Sequence, residues 1–288
     1  MEKLILGIDS GNYMAKVFGT HGHDKFKTNI SEWVQRNLKE TFGNDDMEFE
    51  VDGQKGFAGT IAMYENEFGD GSIYGETKAH DDTRIRTLLA VTRYLIEHSL
   101  NTKKVSIVVG QPIKGHTDEE KDKIKKMLLG EHEVVINGQK RNFIIENVGV
   151  AQEGSSAFWA CPNPDNTKTR IIDIGSGTCN AATIINKLFI NTSSDTFNFG
   201  METVTNKNDY KMVSRGIISN ITKLKWSKSD KIYVCGGASE GILPYIIELY
   251  PNAELLKPQI LTTSGARLFT PLYANAVGFY VIGKGAFG

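Results

Sequence analysis

An aspartate followed by a glycine-rich turn lies just past the middle of the chain, where the sequence reads IIDIGSGT over residues 171–178. The apolar and β-branched residues before the turn predict a buried strand, and the small residues predict a tight bend. Such a bend brings backbone N–H groups close to a phosphate, and Asp173 at the strand end is placed to hold a hydrated Mg²⁺ through its water ligands. The residues assigned to phosphate are Gly175, Ser176, Gly177 and Thr178.

The same arrangement occurs at the N-terminus, where LILGIDSGN spans residues 4–12. Asp9 ends the predicted strand, Gly11 follows it, and Lys16 stands seven residues after Asp9. Two such turns facing each other would hold the phosphates of a nucleotide from both sides. Neither is a Walker A loop, because no Gly-Lys-Ser/Thr follows at the required spacing, and neither carries the glycine pattern of a Rossmann fingerprint. The repeat is the strongest functional signal in the sequence.

The composition is that of a globular protein without a strong electrostatic preference. Of 288 residues, 40% are apolar and 23% are charged, which allows one large domain or two of ordinary size. The net charge of −1 predicts no direct binding to nucleic acid or to a membrane. Widely spaced cysteines without CxxC or histidine pairing indicate reduced, structural thiols, and neither a signal peptide nor a membrane span is expected. We therefore expect a cytoplasmic protein.

Hydrophobic periodicity predicts strands and helices in a similar order in the two halves of the chain, which indicates an internal duplication. Residues 21–82 contain few apolar runs and are predicted to form a small inserted subdomain outside the core, with a hairpin turn at Asp52–Gly53. Residues 148–160 are expected to begin as a strand and to become a helix at Gln152. The other predicted strands lie at 3–8, 12–20, 105–112 and 231–238, and the predicted helices at 83–100, 118–129, 212–226, 238–250 and 274–280.

In this order the parts resemble the actin-like ATPase superfamily, which also holds Hsp70-type chaperones and sugar kinases, over nearly the whole chain. Residues 9–16 and 173–178 resemble its two phosphate loops, and Gly236–Gly237 resembles its adenosine motif. The small-residue helices near Ala157 and Ala276 resemble its two connecting helices. The resemblance implies an α/β, ribonuclease-H-like duplicated fold with two domains around a nucleotide cleft.

The implied first half spans residues 1–160, with an upper subdomain at about 21–82, and the second half spans 161–288. Within the superfamily the chain is most similar to plasmid-segregation actins of the ParM/StbA type, through residues 51–53, 108–112 and 274–278.

One departure from that family concerns the second half. Actin and ParM insert an entire subdomain between the second phosphate loop and the adenosine strand, whereas here only 50 residues separate Asn180 from Lys231. The upper lobe of the second half, subdomain IIB, is therefore expected to be reduced or absent, as in AlfA among the segregation actins. Because a wall of the base site is lost with it, the choice between adenine and guanine stays open.

The resemblance also implies a role for each motif residue. Asp9 and Asp173 would position Mg²⁺ through water, and Lys16 would lie over the β- and γ-phosphates. Glu153 matches the residue that orients the attacking water in the family, and Gln152 is an alternative that the sequence leaves open. The other residues assigned to the nucleotide are Ser10, Gly11, Asn12, Gly175, Ser176, Gly177, Thr178, Gly236, Gly237 and Ala238.

These motifs predict a filament-forming protein that binds and hydrolyses ATP or GTP with Mg²⁺ and moves plasmid DNA. Its expected partners are further copies of itself and a DNA-binding adaptor at a centromere-like plasmid site. Two alternatives stay open, a small-molecule kinase of the same superfamily and a nucleotide-binding regulatory module with little turnover. The missing second-half insertion argues against the kinase, because kinases of this superfamily usually bind their substrates with inserted domains.

Overall fold

The computed structural model describes residues 3–37, 40–65, 77–162, 164, 167–206, 209–262 and 265–288. The elements of the N-terminal part are β1 (Leu4–Ser10), β2 (Met14–Gly19), β3 (Gly22–Lys27), β4 (Ile30–Glu32), β5 (Met47–Val51), β6 (Gln54–Ala58), α1 (Thr60–Tyr64), α2 (Asp81–Glu97), β7 (Lys104–Gln111), α3 (Asp118–Leu128), β8 (Gly130–Ile136) and β9 (Gln139–Gln152). Their strands form one sheet of nine, in the order β3-β2-β1-β7-β9-β8-β5-β6-β4.

The C-terminal part contains a second sheet, in the order β12-β11-β10-β14-β15 with β13 also paired to β11, and a separate hairpin of β16 and β17. Its elements are β10 (Thr169–Ile174), β11 (Cys179–Ile185), β12 (Leu188–Phe189), β13 (Asp195–Phe197), α4 (Tyr210–Lys223), β14 (Lys231–Gly236), α5 (Ser239–Ile247), β15 (Ala253–Leu255), β16 (Gln259–Thr262), β17 (Gly265–Leu268) and α6 (Ala274–Phe287). Among the described residues, no helix is long and apolar enough to cross a membrane.

The two sheets repeat one arrangement at their centres. Strand β1 pairs antiparallel with β2 and parallel with β7, and β10 pairs antiparallel with β11 and parallel with β14. Both central strands are buried along their whole length. Because each carries its aspartate next to its C-terminal end, the repeat places both phosphate turns at equivalent positions. The predicted α/β fold and its internal duplication are confirmed.

The prediction that residues 21–82 lie outside the core is wrong. Strand β3 extends the first sheet beside β2, and β5 joins it through β8. The side chains of Phe26, Met47 and Phe49 belong to the same apolar cluster as β1. In β5 buried and more exposed residues alternate, so a polar composition conceals one apolar face. Part of this stretch, residues 66–76, lies outside the described residues.

The hairpin turn predicted at Asp52–Gly53 joins β5 to β6. Val51 lies opposite Gln54, and Asp52 and Gly53 have φ angles of 46° and 87°. Two successive positive φ angles are typical of the two-residue hairpin turn that matches the twist of the strands. The predicted turn is confirmed. It consists of these two residues, so their types were enough to locate it in the sequence.

The helix predicted to start at Gln152 is replaced by a longer strand and a short 3₁₀ helix. Strand β9 runs parallel to β7 up to Gln152, and the backbone N of Glu153 still donates to Gln111 O at 2.9 Å. Gly154 then takes a φ of 74°, and the 3₁₀ helix spans Ser155–Ala160. The pairing with β7 therefore outweighs the local preference of the small residues for a helix.

The second half lacks a counterpart to the strands β4, β5 and β6 within the described residues. Between β11 and β14 the chain forms β12, β13 and α4, without a further sheet. This agrees with the expected reduction of the upper lobe. Residues 207–208, between β13 and α4, are outside the described part.

The C-terminal helix α6 packs closely on β1 and on the 3₁₀ helix after β9 through glycines. A Cβ atom at Gly7 in β1 would lie 2.1 Å from the carbonyl oxygen of Ala276. A Cβ atom at Gly278 would lie 2.1 Å from Ser156 O, in the 3₁₀ helix. Since these neighbours are backbone atoms, only glycine permits the observed approach.

We expect Gly278→Ala to lower the free energy of unfolding by about 1–3 kcal/mol or more, because the added methyl group overlaps backbone. Gly285 in the same helix serves as the matched control, because a Cβ atom there would meet no other atom within 4 Å. At that position the same substitution should raise stability by about 0.5–1 kcal/mol through helix propensity. Urea unfolding of the two variants tests this, and equal effects would contradict the packing described.

Candidate functional site

The two predicted phosphate turns face each other across a cleft of about 430 Å³. Thirteen of the fifteen predicted site residues line this cleft, and Ser10 and Gln152 do not. Those that line it are Asp9, Gly11, Asn12, Lys16, Glu153, Asp173, Gly175, Ser176, Gly177, Thr178, Gly236, Gly237 and Ala238. Residues from both halves of the chain are therefore brought to one place.

The first turn joins β1 to β2, and the register of this hairpin places Lys16 opposite Asp9. Lys16 Nζ lies 3.0 Å from Asp9 Oδ2, so a cation and a carboxylate stand side by side at the cleft. A Cβ atom at Gly11 would lie 2.7 Å from Met14 O, which explains the glycine. Asn12 is held by the buried Arg86, whose Nη1 donates to Asn12 Oδ1 at 2.9 Å.

The second turn joins β10 to β11 and is closed by a hydrogen bond from Gly175 N to Thr178 O at 2.9 Å. A neighbouring turn supports it from behind, because Met201 N donates to Gly175 O at 3.2 Å and Glu202 N donates to Ser176 O at 2.9 Å. Both of these carbonyl groups of the phosphate turn are thus occupied by backbone donors.

The third segment, at the end of β14, lies against the second turn. Gly236 has a φ of 93°, and a Cβ atom there would lie 2.2 Å from Ile174 O. The cleft at this end is also lined by Met201, Tyr210 and Leu272. This apolar surface beside glycine backbone is suited to a planar ring.

Asp173 is the most perturbed acid of the site. Its pKa is raised to about 6, first because the carboxyl is buried and second because the carboxylates of Glu153 and Asp9 lie nearby. Asn275 Nδ2 donates to Asp173 Oδ2 at 3.0 Å and opposes the shift. Asn180 Nδ2 lies 3.4 Å from the same oxygen.

Glu153 lies in the cleft with both carboxylate oxygens engaged. Lys78 Nζ is 3.3 Å from Oε1, and Asn180 Nδ2 is 3.4 Å from Oε2. Gln152 lies outside the cleft lining, and its Oε1 accepts a hydrogen bond from Ser155 Oγ at 3.1 Å. The position in the fold therefore favours Glu153 of the two alternatives.

Ser10 departs from the expectation that its hydroxyl serves a phosphate. The hydroxyl lies 2.7 Å from Thr87 Oγ1, and Thr87 donates its own proton to Thr83 O at 2.7 Å. The Ser10 proton therefore goes to Thr87 on α2. Side chains alternate along a strand, so Asp9 faces the cleft while Ser10 faces the helix behind it.

Sequence reasoning missed several polar residues of the cleft, of which Lys78, Asn180 and Asn275 contact its acids. The ammonium group of Lys78 also donates to Ser10 O at 3.2 Å, which ties it to the first turn. Lys78 stands in no motif, whereas Asn180 follows the second turn directly and Asn275 is the polar member of a small-residue helix. The sequence positions of Asn180 and Asn275 thus gave a weak indication of a role at the site, and the position of Lys78 gave none.

The donor set fits a divalent cation held through water. No group of three or more His, Cys, Asp or Glu side chains that could hold a metal ion directly occurs in the described part of the chain. Asp9 and Asp173 nevertheless border the same cleft, where the buried acids raise the pKa of Asp173. A hydrated Mg²⁺, which usually keeps several of its waters, suits carboxylates arranged in this way.

The raised pKa of Asp173 predicts a pH-dependent stability of the protein without ligands. Between the ordinary value of 3.8 and about 6, the folded state binds more protons than the unfolded state. Folding therefore loses stability as pH rises through this window. We expect Asp173→Asn, which removes the charge, to gain up to about 3 kcal/mol relative to the native chain between pH 4 and pH 7.5. Urea unfolding across this range measures the difference, and a constant difference would contradict the assignment.

Comparison with solved structures found proteins of similar fold. An AlfA filament bound to AMPPNP matches with a TM-score of 0.77 and 19% identity, covering 100% of both chains. The filament structure of AlfA from a B. subtilis plasmid matches with a TM-score of 0.76 and 20% identity, over 96% of this chain and 97% of the other. A 15-stranded ParM filament from Clostridium botulinum matches with a TM-score of 0.77 and 19% identity, over 99% and 100%. No curated protein matches the sequence.

A family model supplies evidence from the sequence itself. The model for the N-terminal domain of actin like proteins matches residues 7–155, which is more than half of the chain. The matched region begins within β1, includes the first phosphate turn and Lys78, and ends just after Glu153. Together with the duplicated fold, this match establishes that the chain belongs to the actin-like proteins.

Proposed function

We propose that this chain is a nucleotide-dependent, filament-forming ATPase that drives plasmid DNA segregation in the cytoplasm. The observation that carries the proposal is the cleft itself, in which Asp9 and Lys16 stand on one side, Asp173 on the other, and Glu153 beside them. In this proposal, residues 1–160 and 161–288 form the two halves that close on a nucleotide.

The phosphate groups would lie between the two hairpin turns. Lys16 offers a positive charge from the first turn, and the backbone of residues 176–178 offers N–H donors from the second. Gly175 N already donates to Thr178 O, so the remaining N–H donors of this turn are those of residues 176–178, and the side chains of Ser176 and Thr178 add hydroxyl groups. Phosphoryl transfer depends mainly on positioning and on compensation of negative charge, and this cleft provides both.

Asp9 and Asp173 would hold Mg²⁺ through its water ligands, and the bound ion would supply positive charge to the phosphates. Glu153 would orient the attacking water and accept its proton. Lys78 and Asn180 fix the two oxygens of Glu153, so that the carboxylate has a defined direction. Gly236, Gly237 and Ala238 would let the nucleoside approach the backbone, with ATP or GTP as the substrate.

Two exposed apolar patches support self-assembly. The first contains Leu261 and Leu268 of the β16–β17 hairpin, which are 79% and 57% exposed. This hairpin lies beside β3, because Phe269 contacts His23 with ring centroids 5.7 Å apart. The second patch, beside β4, contains the exposed side chains of Trp33, Val34, Phe42, Met63 and Tyr64.

The two patches are made of different residues, the first on the C-terminal hairpin and the second around β4 and α1. Two patches of different composition favour a head-to-tail contact, which builds an open filament unless rotation closes a ring. The filaments formed by the structural neighbours agree with this proposal. The net charge of −1 favours a DNA-binding adaptor over direct contact with plasmid DNA.

The decisive experiment combines light scattering, pelleting and phosphate release with ATP, GTP, ADP or no nucleotide. The native protein should assemble with a nucleoside triphosphate and release phosphate. Glu153→Gln should still bind nucleotide but hydrolyse it about a hundredfold more slowly or worse, because a water-orienting base is lost. Gln152→Ala is the matched control and should keep the native rate.

Other outcomes have clear meanings. Formation of ADP that requires an added small hydroxyl compound and phosphorylates it, without assembly or release of inorganic phosphate, would indicate a kinase. An unchanged rate of phosphate release in Glu153→Gln would indicate a nucleotide-binding regulatory module with little turnover. The first result would overturn the proposed ATPase, and the second would overturn the role proposed for Glu153.

The hairpin patch makes a separate prediction about assembly. Leu261→Asp should raise the concentration needed for assembly about tenfold or more, because a charge replaces an apolar contact of the interface. Nucleotide affinity should stay unchanged, since the hairpin is not part of the cleft lining. Leu188→Asp, on the second sheet with 67% exposure, is the control. Equal loss of assembly in both variants would exclude a specific role of the hairpin.

A further inference from the structure

The side chain of Asn275 connects the two sheets at the bottom of the cleft. Its Oδ1 accepts a hydrogen bond from the backbone N of Gly154 at 2.9 Å, and its Nδ2 donates to Asp173 Oδ2 at 3.0 Å. Asn275 is only 6% exposed. Gly154 directly follows Glu153, so one amide joins the segment that carries this glutamate to the aspartate of the other sheet.

The orientation of the amide is determined by its two neighbours. A backbone N–H can only donate, so the oxygen of Asn275 must face Gly154. The NH₂ group must then face Asp173, where it finds a carboxylate oxygen. An aspartate at position 275 would instead place a second negative charge beside Asp173, whose pKa is already raised by burial and by neighbouring acids. Of the two isosteric residues, only asparagine serves both partners.

The helix that carries Asn275 is held firmly on both sides. The carbonyl oxygen of Ala276 lies so close to Gly7 of β1 that Gly7 could not carry a Cβ atom. The carbonyl oxygen of Ser156 in the 3₁₀ helix lies equally close to Gly278. Asn275 is the second residue of α6 and is adjacent to the first of these contacts. The side-chain amide of Asn275 therefore has a defined position, and its hydrogen bond to Gly154 N places Gly154.

The backbone at Gly154 needs such a hydrogen bond to hold its position. Gly154 has a φ of 74°, and a Cβ atom there would lie 3.0 Å from Asn180 Cβ. Glu153 is tied to β7 through the hydrogen bond from its backbone N to Gln111 O at 2.9 Å. The bond to Asn275 secures the peptide on its other side. The backbone of Glu153 is thus held between the first sheet and α6.

We propose that Asn275 is a positioning residue for nucleotide hydrolysis, which sets the backbone of Glu153 relative to the carboxylate of Asp173. This inference rests on the function proposed above. Asn180 also touches both acids, but its two contacts are 3.4 Å long and reach only side chains. Asn275 makes the shorter contacts and holds the main chain, so its loss would misplace Glu153 without removing a group that binds phosphate.

The test compares Asn275→Ala and Asn275→Asp with the control Val277→Ala. Val277 lies two residues further along α6, is fully buried and is outside the cleft lining. For each protein, kcat and KM for ATP are measured with Mg²⁺, together with the affinity for AMPPNP and the unfolding temperature. We expect both Asn275 variants to lose about 10- to 100-fold in kcat, the range found when groups supporting a catalytic site are removed. KM and AMPPNP affinity should change by less than about threefold, because the phosphate turns are intact.

Val277→Ala should lower the unfolding temperature through its cavity but keep kcat within about twofold of the native value. If Asn275→Ala keeps the kcat of that control, or loses AMPPNP affinity in proportion to kcat, the positioning role is overturned. If the native protein hydrolyses ATP and Asn275→Ala does so equally well, the proposed function survives and this inference fails. A native protein that binds AMPPNP but never releases phosphate from ATP overturns both.

Discussion

This site depends on one constraint. Its buried cleft holds negative charge that the neighbouring groups compensate only in part. Asp9 and Glu153 each stand beside a lysine, Lys16 and Lys78. Asp173 forms no ion pair within the described part of the chain, and amide groups donate to it instead. An amide orients a carboxylate without cancelling its charge, so the pKa of Asp173 stays raised to about 6. A positively charged ligand is therefore favoured most strongly at this side of the cleft.

The fold meets this constraint by holding the acids on rigid elements. Asp9 and Asp173 stand on the buried central strands of two sheets, and helix α6 from the C-terminal part packs at backbone distance on β1 and on the 3₁₀ helix of the N-terminal part. Close contact through Gly7 and Gly278 leaves little freedom for α6 to slide along the N-terminal part. A change of charge in the cleft then acts on both halves at once. This coupling suits the proposed function, in which the nucleotide state alters contacts at the outer surface.

The sequence was informative wherever the site depends on neighbours along the chain. Asp9, Gly11 and Lys16 belong to one hairpin, whose register follows from strand and turn alone, and the same holds for residues 173–178. Asn275 and Lys78 reach the cleft from distant elements, and no local pattern encodes that meeting. The course of the chain after Gln152 was misjudged for a similar reason, because the pairing of β9 with β7 decides it.

The shortened second half also changes what supports the phosphate turn. Between β13 and α4 the described chain makes a tight turn, whose N–H groups at Met201 and Glu202 bond to the carbonyls of Gly175 and Ser176. A Cβ atom at Gly200 would lie 2.4 Å from Ser176 O, so this support is in close backbone contact. The segment that could have carried an upper lobe thus braces the phosphate turn directly. If the proposed nucleotide binds here, its base would meet the apolar surfaces of Met201, Tyr210 and Leu272, and hydrogen-bond discrimination between purines would come from the backbone at residues 236–238 and from polar lining groups such as Glu202.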